Sequence, residues 1–344
     1  MGYWKIYYIK TMDKNNTISI SKSRLVSVDL LQGIAMLWVI FGHHLLDFMP
    51  AIYHSIHYYI YSFHMPFFIF ISSFLIAYSY KEVPYRIYTS KKFHKFFLPY
   101  ICIGILVTLL TGIKEGIDTI PENILFLVFA PKQSASTFLW YIYLLFILYA
   151  IYPLCKIGYQ KIGSKLEILI LFVGLYFYFN PIRIQFLCID YLTNYFLFYW
   201  LGIMTAWHFK TVRNQIKLLK VTGGWCLFLF ILLSVSIFIS PQHIAYTALC
   251  FCSIPAMYGL ARILSYQSFI KNALISISKN CFHIYLIHMF FIQGIAVIFM
   301  KLHPYKIESV GFMAVYIACS TVISITGSIV VFHIIDYLKA KIHQ

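Results

Sequence analysis

Acidic residues are scarce in this chain, with 11 Asp and Glu set against 27 Lys and Arg, and only 11% of the 344 residues are charged. A soluble globular domain carries roughly 25% charged residues, so too few polar side chains exist here to cover a water-facing surface. The cysteines lack metal-ligand spacing. Cys250 and Cys252 are one residue apart and the rest of the eight are scattered through apolar runs, which excludes a zinc module and a disulfide scaffold. They read as reduced packing residues, and no metal is expected. Glycine and proline are too few for a collagen-like rod, and no polar low-complexity tract suggests disorder. The first 25 residues hold Lys5, Lys10, Lys14, Lys22 and Arg24 and lack the apolar core of a cleavable signal peptide.

What the chain does have is hydrophobicity: 61% apolar residues, 19% aromatic, and a mean hydropathy of +0.79. The fold class this implies is an all-α, polytopic integral membrane protein. Spanning a bilayer takes ~20 apolar residues. Such runs predict helices near 28–48, 57–80, 96–113, 137–156, 166–181, 191–209, 223–240, 243–261, 281–300 and 310–335, ten in all. The expected organisation is a cytoplasmic tail over 1–25, one membrane domain over 26–336 and a cytoplasmic tail over 337–344.

The basic residues test this map. Their clusters lie between the apolar runs, and 22 of the 27 fall on one side of the membrane when the ten spans alternate, with 5 on the other. Cytoplasmic loops carry such an excess, so both termini are expected inside and the long 114–136 loop outside. The same positions argue against nucleic acid as the partner of the +16 net charge. The partner of these clusters is the bilayer.

Ionisable residues within apolar spans point to function, because hydrocarbon excludes them otherwise. The first span holds Asp29, Gln32, His43 and His44, and the second holds His64. The ninth holds His283 and His288, and the tenth holds His333 and Asp336. Gln32 and His43 are eleven residues apart, about three helical turns, which aligns them on one face ~16 Å apart. Asp29 lies one turn below Gln32. His64 alone reads as a helix–helix hydrogen bond of the kind bundles use. His43, above an acid and an amide on one face, reads as functional. His43 and His64 fall at similar depths, which makes them a candidate pair.

The segment Ser27-Val28-Asp29-Leu30-Leu31-Gln32-Gly33-Ile34-Ala35, continuing to Gly42-His43, resembles the opening helix of the acyltransferase family 3 integral membrane proteins. Phe63-His64-Met65-Pro66-Phe67-Phe68-Ile69-Phe70-Ile71-Ser72 resembles its second helix, and Lys91 to Tyr100 its basic, proline-ended entry to the third. Leu139-Trp140-Tyr141 and Phe198 to Gly202 resemble weaker patterns, and Ile277 to His288 a late Ser-x-x-Ile-Tyr-Leu-x-His stretch. There are two departures. Gln32 stands where the family carries Arg or Lys, and Ser73 where it carries glycine. Glutamine can hydrogen-bond but brings no charge to a phosphate or carboxylate.

The resemblance implies transfer of an acyl group, most often acetyl, from an acyl-CoA donor to a hydroxyl of a cell-surface saccharide or related cell-envelope acceptor, in a bacterial-type plasma membrane. Acyl-CoA would be a co-substrate, with no cofactor held by the protein. His43 is then the expected general base. Asp29, Gln32, His64, Lys92, Lys95, Trp140 and His288 are candidates for binding donor or acceptor. Lys92 and Lys95 also read as the positive-inside signal itself. Two other readings stay open at this point: an exporter of a saccharide or lipid-linked intermediate, and a non-catalytic subunit of a membrane polysaccharide synthase.

Overall fold

A computed structural model describes residues 10–12, 18–20, 25–44, 46–209, 222–239, 243–303 and 307–342. Lys5, Lys14, Lys22 and Arg24 of the basic N-terminal segment lie outside the described residues. A short antiparallel ladder pairs β1 (Lys10–Met12) with β2 (Ile18–Ile20). Every other described element is helical: α1 (Val26–Gly42), α2 (Ala51–Ser79), α3 (Tyr85–Lys92), α4 (Leu98–Glu115), α5 (Ile120–Phe129), α6 (Trp140–Ile162), α7 (Ser164–Phe179), α8 (Ile189–Trp207), α9 (Thr222–Ile239), α10 (His243–Leu264), α11 (Ser268–Lys279), α12 (Cys281–Leu302) and α13 (Val310–Ile342).

Each of the ten apolar runs holds a helix among the described residues. By length and composition, seven helices among the described residues can cross a membrane: Ala51–Ser79, Tyr85–Glu115, Thr137–Ile162, Phe186–Trp207, Tyr246–Leu264, Cys281–Leu302 and Val310–Lys341. Val26–Gly42 is apolar but shorter, and its 17 residues reach about 25 Å.

The sequence reading needs four corrections in detail. The first helix ends at Gly42, not near 48, because the His43 and His44 N–H groups fold back to the carbonyls of Ile40 and Phe41. The second begins at Ala51, six residues early, directly after Pro50, whose fixed φ is pre-organised for a helix start. The third joins α3 through a π-helical turn at Phe93–Phe97 and so starts from Tyr85. The stretch 114–136 is more than a loop, since it carries α5, with Pro121 in its first turn and Glu122 beside its N-terminal dipole.

Two glycines set helix ends. Gly116 (φ 126°) closes α4, and Gly163 (φ 59°, ψ −140°) closes α6, both in backbone regions that side chains disfavour. Cys102, Cys155, Cys188, Cys250, Cys252, Cys281 and Cys319 are free thiols.

The chain divides into two compact units, residues 1–68 with 214–344, and residues 69–213. In the first, α1 packs mainly on α11 and α10, α9 pairs with α10, and α12 pairs with α13. An aromatic cluster fills one end of this unit, where Phe48, Met49 and Tyr53 meet Ile307, Met313 and Tyr316. In the second unit α7 pairs with α8, and Trp200 is fully buried with its indole N–H on the Glu167 carbonyl at 3.1 Å. The Glu167 carboxylate meets His208 Nε2 at 2.7 Å.

Candidate active site

The first unit gathers polar side chains at both ends of α1. Asp29, in its first turn, is buried, and Gln32 follows one turn on. Ser278, in the last turn of α11, lies 2.9 Å from Gln32 Oε1 and 3.4 Å from Asp29 Oδ1, so its single hydroxyl proton serves both acceptors. The two helices can approach this closely because residue 33 is glycine. A Cβ there would stand 2.5 Å from the Leu274 carbonyl oxygen.

At the other end, His43 caps α1. Its ring centroid lies 5.1 Å from that of His288 on α12, with the planes tilted by 38°. Tyr61 on α2 brings its hydroxyl to 3.5 Å from His43 Nδ1, the long limit of a hydrogen bond. The Tyr61 ring in turn packs on His57 (4.0 Å) and His64 (4.6 Å). The candidate pair read from the sequence is therefore connected through an intermediary. His288 and Tyr61 meet His43, and His64 joins by way of Tyr61.

Hydrogen bonding distinguishes these imidazoles. His44 Nδ1 faces the Ile40 carbonyl at 2.8 Å, His64 Nδ1 the Ile60 carbonyl at 2.9 Å, and His288 Nδ1 the Tyr285 carbonyl at 2.9 Å. A carbonyl can only accept, so Nδ1 carries the proton in all three and Nε2 holds the lone pair of the neutral ring. Exposure distinguishes them further. His44, His64 and His288 are 0%, 2% and 0% exposed, whereas His43 is partly exposed. Of the four, His43 is the one that is not buried.

The remaining sequence candidates lie in the second unit. Lys92 Nζ sits 4.1 Å from the centre of the Tyr149 ring and 5.3 Å from that of Tyr88, a cation–π arrangement on aromatic faces. Lys95 is exposed, with Nζ 5.2 Å from the Phe96 ring centre. Trp140 stacks on Tyr191 at 3.9 Å and on Tyr195 at 5.8 Å. Among the described residues there is no group of three or more His, Cys, Asp or Glu arranged to hold a metal ion.

Two residues of the site escaped the sequence reading. Tyr61 is one of 29 tyrosines, and its only signal was position, four residues after His57 and three before His64. Ser278 lies inside the late motif, but nothing in the linear sequence tied it to Asp29 and Gln32.

A protein-family model described as Acyltransferase domain matches residues 25–333, nearly the whole chain. No curated protein and no solved structure matches the chain.

Proposed function

Because the chain belongs to this acyltransferase family, we propose that it is a multi-pass membrane O-acetyltransferase, moving an acyl group from acyl-CoA to a hydroxyl of a cell-surface saccharide or related acceptor. The observation that carries this reading is the partly exposed His43 imidazole, held between the His288 ring and the Tyr61 hydroxyl. Histidine suits the work because its reference pKa of about 6.5 lets it take a proton near neutrality.

In the proposed reaction Tyr61 faces Nδ1 of His43, and Nε2 takes the proton of the acceptor hydroxyl as its oxygen attacks the thioester carbonyl. The tetrahedral adduct then collapses, the C–S bond breaks, and the imidazolium returns the proton to the departing thiolate. Ester and free thiol are the products, and His43 ends neutral as it began. His288 and Tyr61 act as positioning residues for the ring.

Asp29, Gln32 and Ser278 organise the opposite end of α1, where Gln32 supplies amide hydrogen bonding in place of the family's cation. Lys92 and Lys95 are proposed contacts for the donor's phosphates, as charges beside aromatic faces. The topology that goes with this chemistry is ten spans with both termini in the cytoplasm of a bacterial-type cell, as the 22-to-5 distribution of basic residues supports.

The test is covalent. Membranes containing the protein are supplied with acetyl-CoA labelled in its acetyl group, and label is followed into saccharide material as an alkali-labile ester. An exporter would relocate its cargo without labelling it, and that outcome would overturn the enzymatic reading.

A further inference from the structure

The last helix, α13, carries a polar seam that acyl transfer does not use. Tyr316, Ser320, Ser324 and Ser328 recur every four residues and so share one face, with Thr321 beside them. All five are buried: Ser320, Ser324 and Ser328 are 0% exposed, Thr321 5% and Tyr316 7%. At 1.5 Å per residue the seam is about 18 Å long. Its lower hydroxyls are anchored to the helix itself, Ser324 donating to the Ser320 carbonyl at 2.7 Å and Ser328 to the Ser324 carbonyl at 2.6 Å.

Its upper part is different. The hydroxyls of Tyr316, Ser320 and Thr321 have no hydrogen-bond partner among the described residues, and neither has Nε2 of His44. The His44 ring meets the Tyr316 ring edge to face, with centroids 6.5 Å apart, which brings this imidazole beside the upper part of the seam. A buried polar atom without a partner costs about 1–3 kcal/mol, a cost that a ligand bonding to these groups would offset. The chemistry of the set identifies it. His44 Nε2 can only accept, because Nδ1 holds the proton against the Ile40 carbonyl, while the three hydroxyls both donate and accept. A small hydroxylic ligand satisfies such a set, and buried waters typically make about three such bonds.

We propose that buried water occupies the upper part of the seam, bonded to Tyr316, Ser320, Thr321 and Nε2 of His44. This goes beyond the acyl-transfer reading and does not depend on it.

Two measurements on the full chain in detergent test this. The first is radiolytic footprinting in H2-18O, in which water bound inside a protein oxidises the side chains that it touches. Tyr316, 7% exposed, is expected to be labelled well above Tyr143, which is 5% exposed but has its hydroxyl on the Val128 carbonyl at 2.9 Å. The second is the melting temperature of Ser320→Ala. If water bonds to Ser320, the variant loses a satisfied hydroxyl and its Tm falls by about 2–4 °C. If the hydroxyl is orphaned, removing it leaves Tm unchanged or raises it, and the proposal is overturned. Protection of Tyr316 equal to that of Tyr143 overturns it too, even with a lowered Tm, since the loss would then belong to helix packing.

Discussion

The imidazole rings of His43 and His288 lie 5.1 Å apart, although 245 positions separate them in the chain. One ends the first helix and is partly exposed. The other is fully buried and fixed through Nδ1 to its own helix. A partly exposed ring resting on a buried, hydrogen-bonded one is the arrangement on which the proposed general-base role rests, since proton transfer depends on orientation.

If His288 acts by holding His43, its loss should matter only while His43 is present. His288→Ala is expected to lower kcat at least 10-fold with little change in KM for the donor. The double variant His43→Ala/His288→Ala is expected to be no worse than His43→Ala alone, since residues that act as a unit are not additive. Steady-state kinetics of the four proteins check this. Additive losses would separate the two rings.

The Asp29–Gln32–Ser278 junction makes a structural prediction with a catalytic companion. Ser278→Ala removes a hydroxyl shared by an amide and a carboxylate, at an expected cost of about 1.5–3 kcal/mol in stability. Gln32→Leu is expected to lower activity without affecting membrane insertion. Gln32→Arg is expected to preserve or raise it, because it restores the family's cation next to Asp29. Thermal unfolding in detergent and the acetylation assay separate the two effects.

Gly33 should be intolerant for a purely steric reason. An added methyl group would meet the Leu274 carbonyl oxygen at 2.5 Å, and backbone cannot move aside as a flexible side chain can. Gly33→Ala is expected to cost roughly 1–3 kcal/mol. Gly224→Ala, which meets nothing within 4 Å, should be neutral or slightly stabilising. Melting temperatures of the two variants give the comparison.

The helices were readable from the sequence because twenty-residue apolar runs have few alternatives in a bilayer: each of the ten runs holds a helix, and seven helices among the described residues are long and apolar enough to cross a membrane. What composition could not show was how helices end and meet. The first helix stops at Gly42 through local hydrogen bonds at His43 and His44, while the apolar run continues to 48. The helix Ser268–Lys279 mixes polar and apolar residues and falls between two hydrophobic spans, yet it is a main partner of α1. The site shows the same division. Sequence singled out His43, Asp29 and Gln32, because polar groups in an apolar run stand out. It paired His43 with His64 because their helices are adjacent in the chain. The contacts with His288 and Ser278 required helices far apart in sequence to meet, and Tyr61 was hidden among abundant tyrosines.

The proposed topology predicts the accessibility of single cysteines. Glu122→Cys, exposed at the start of α5, should react with a membrane-impermeant maleimide in intact cells. Lys339→Cys, exposed near the end of α13, should react only after permeabilisation. The reverse pattern would contradict cytoplasmic termini.

The most direct test of the account is the rate of acyl transfer by purified protein carrying His43→Ala, with His54→Ala as an exposed histidine control from the same unit. Loss of general-base catalysis removes about 10²–10⁴-fold of a rate, so His43→Ala should lose that much at equal expression and unchanged thermal stability, while His54→Ala stays within about twofold of the parent. Normal turnover by His43→Ala would contradict the account and move the reacting base elsewhere.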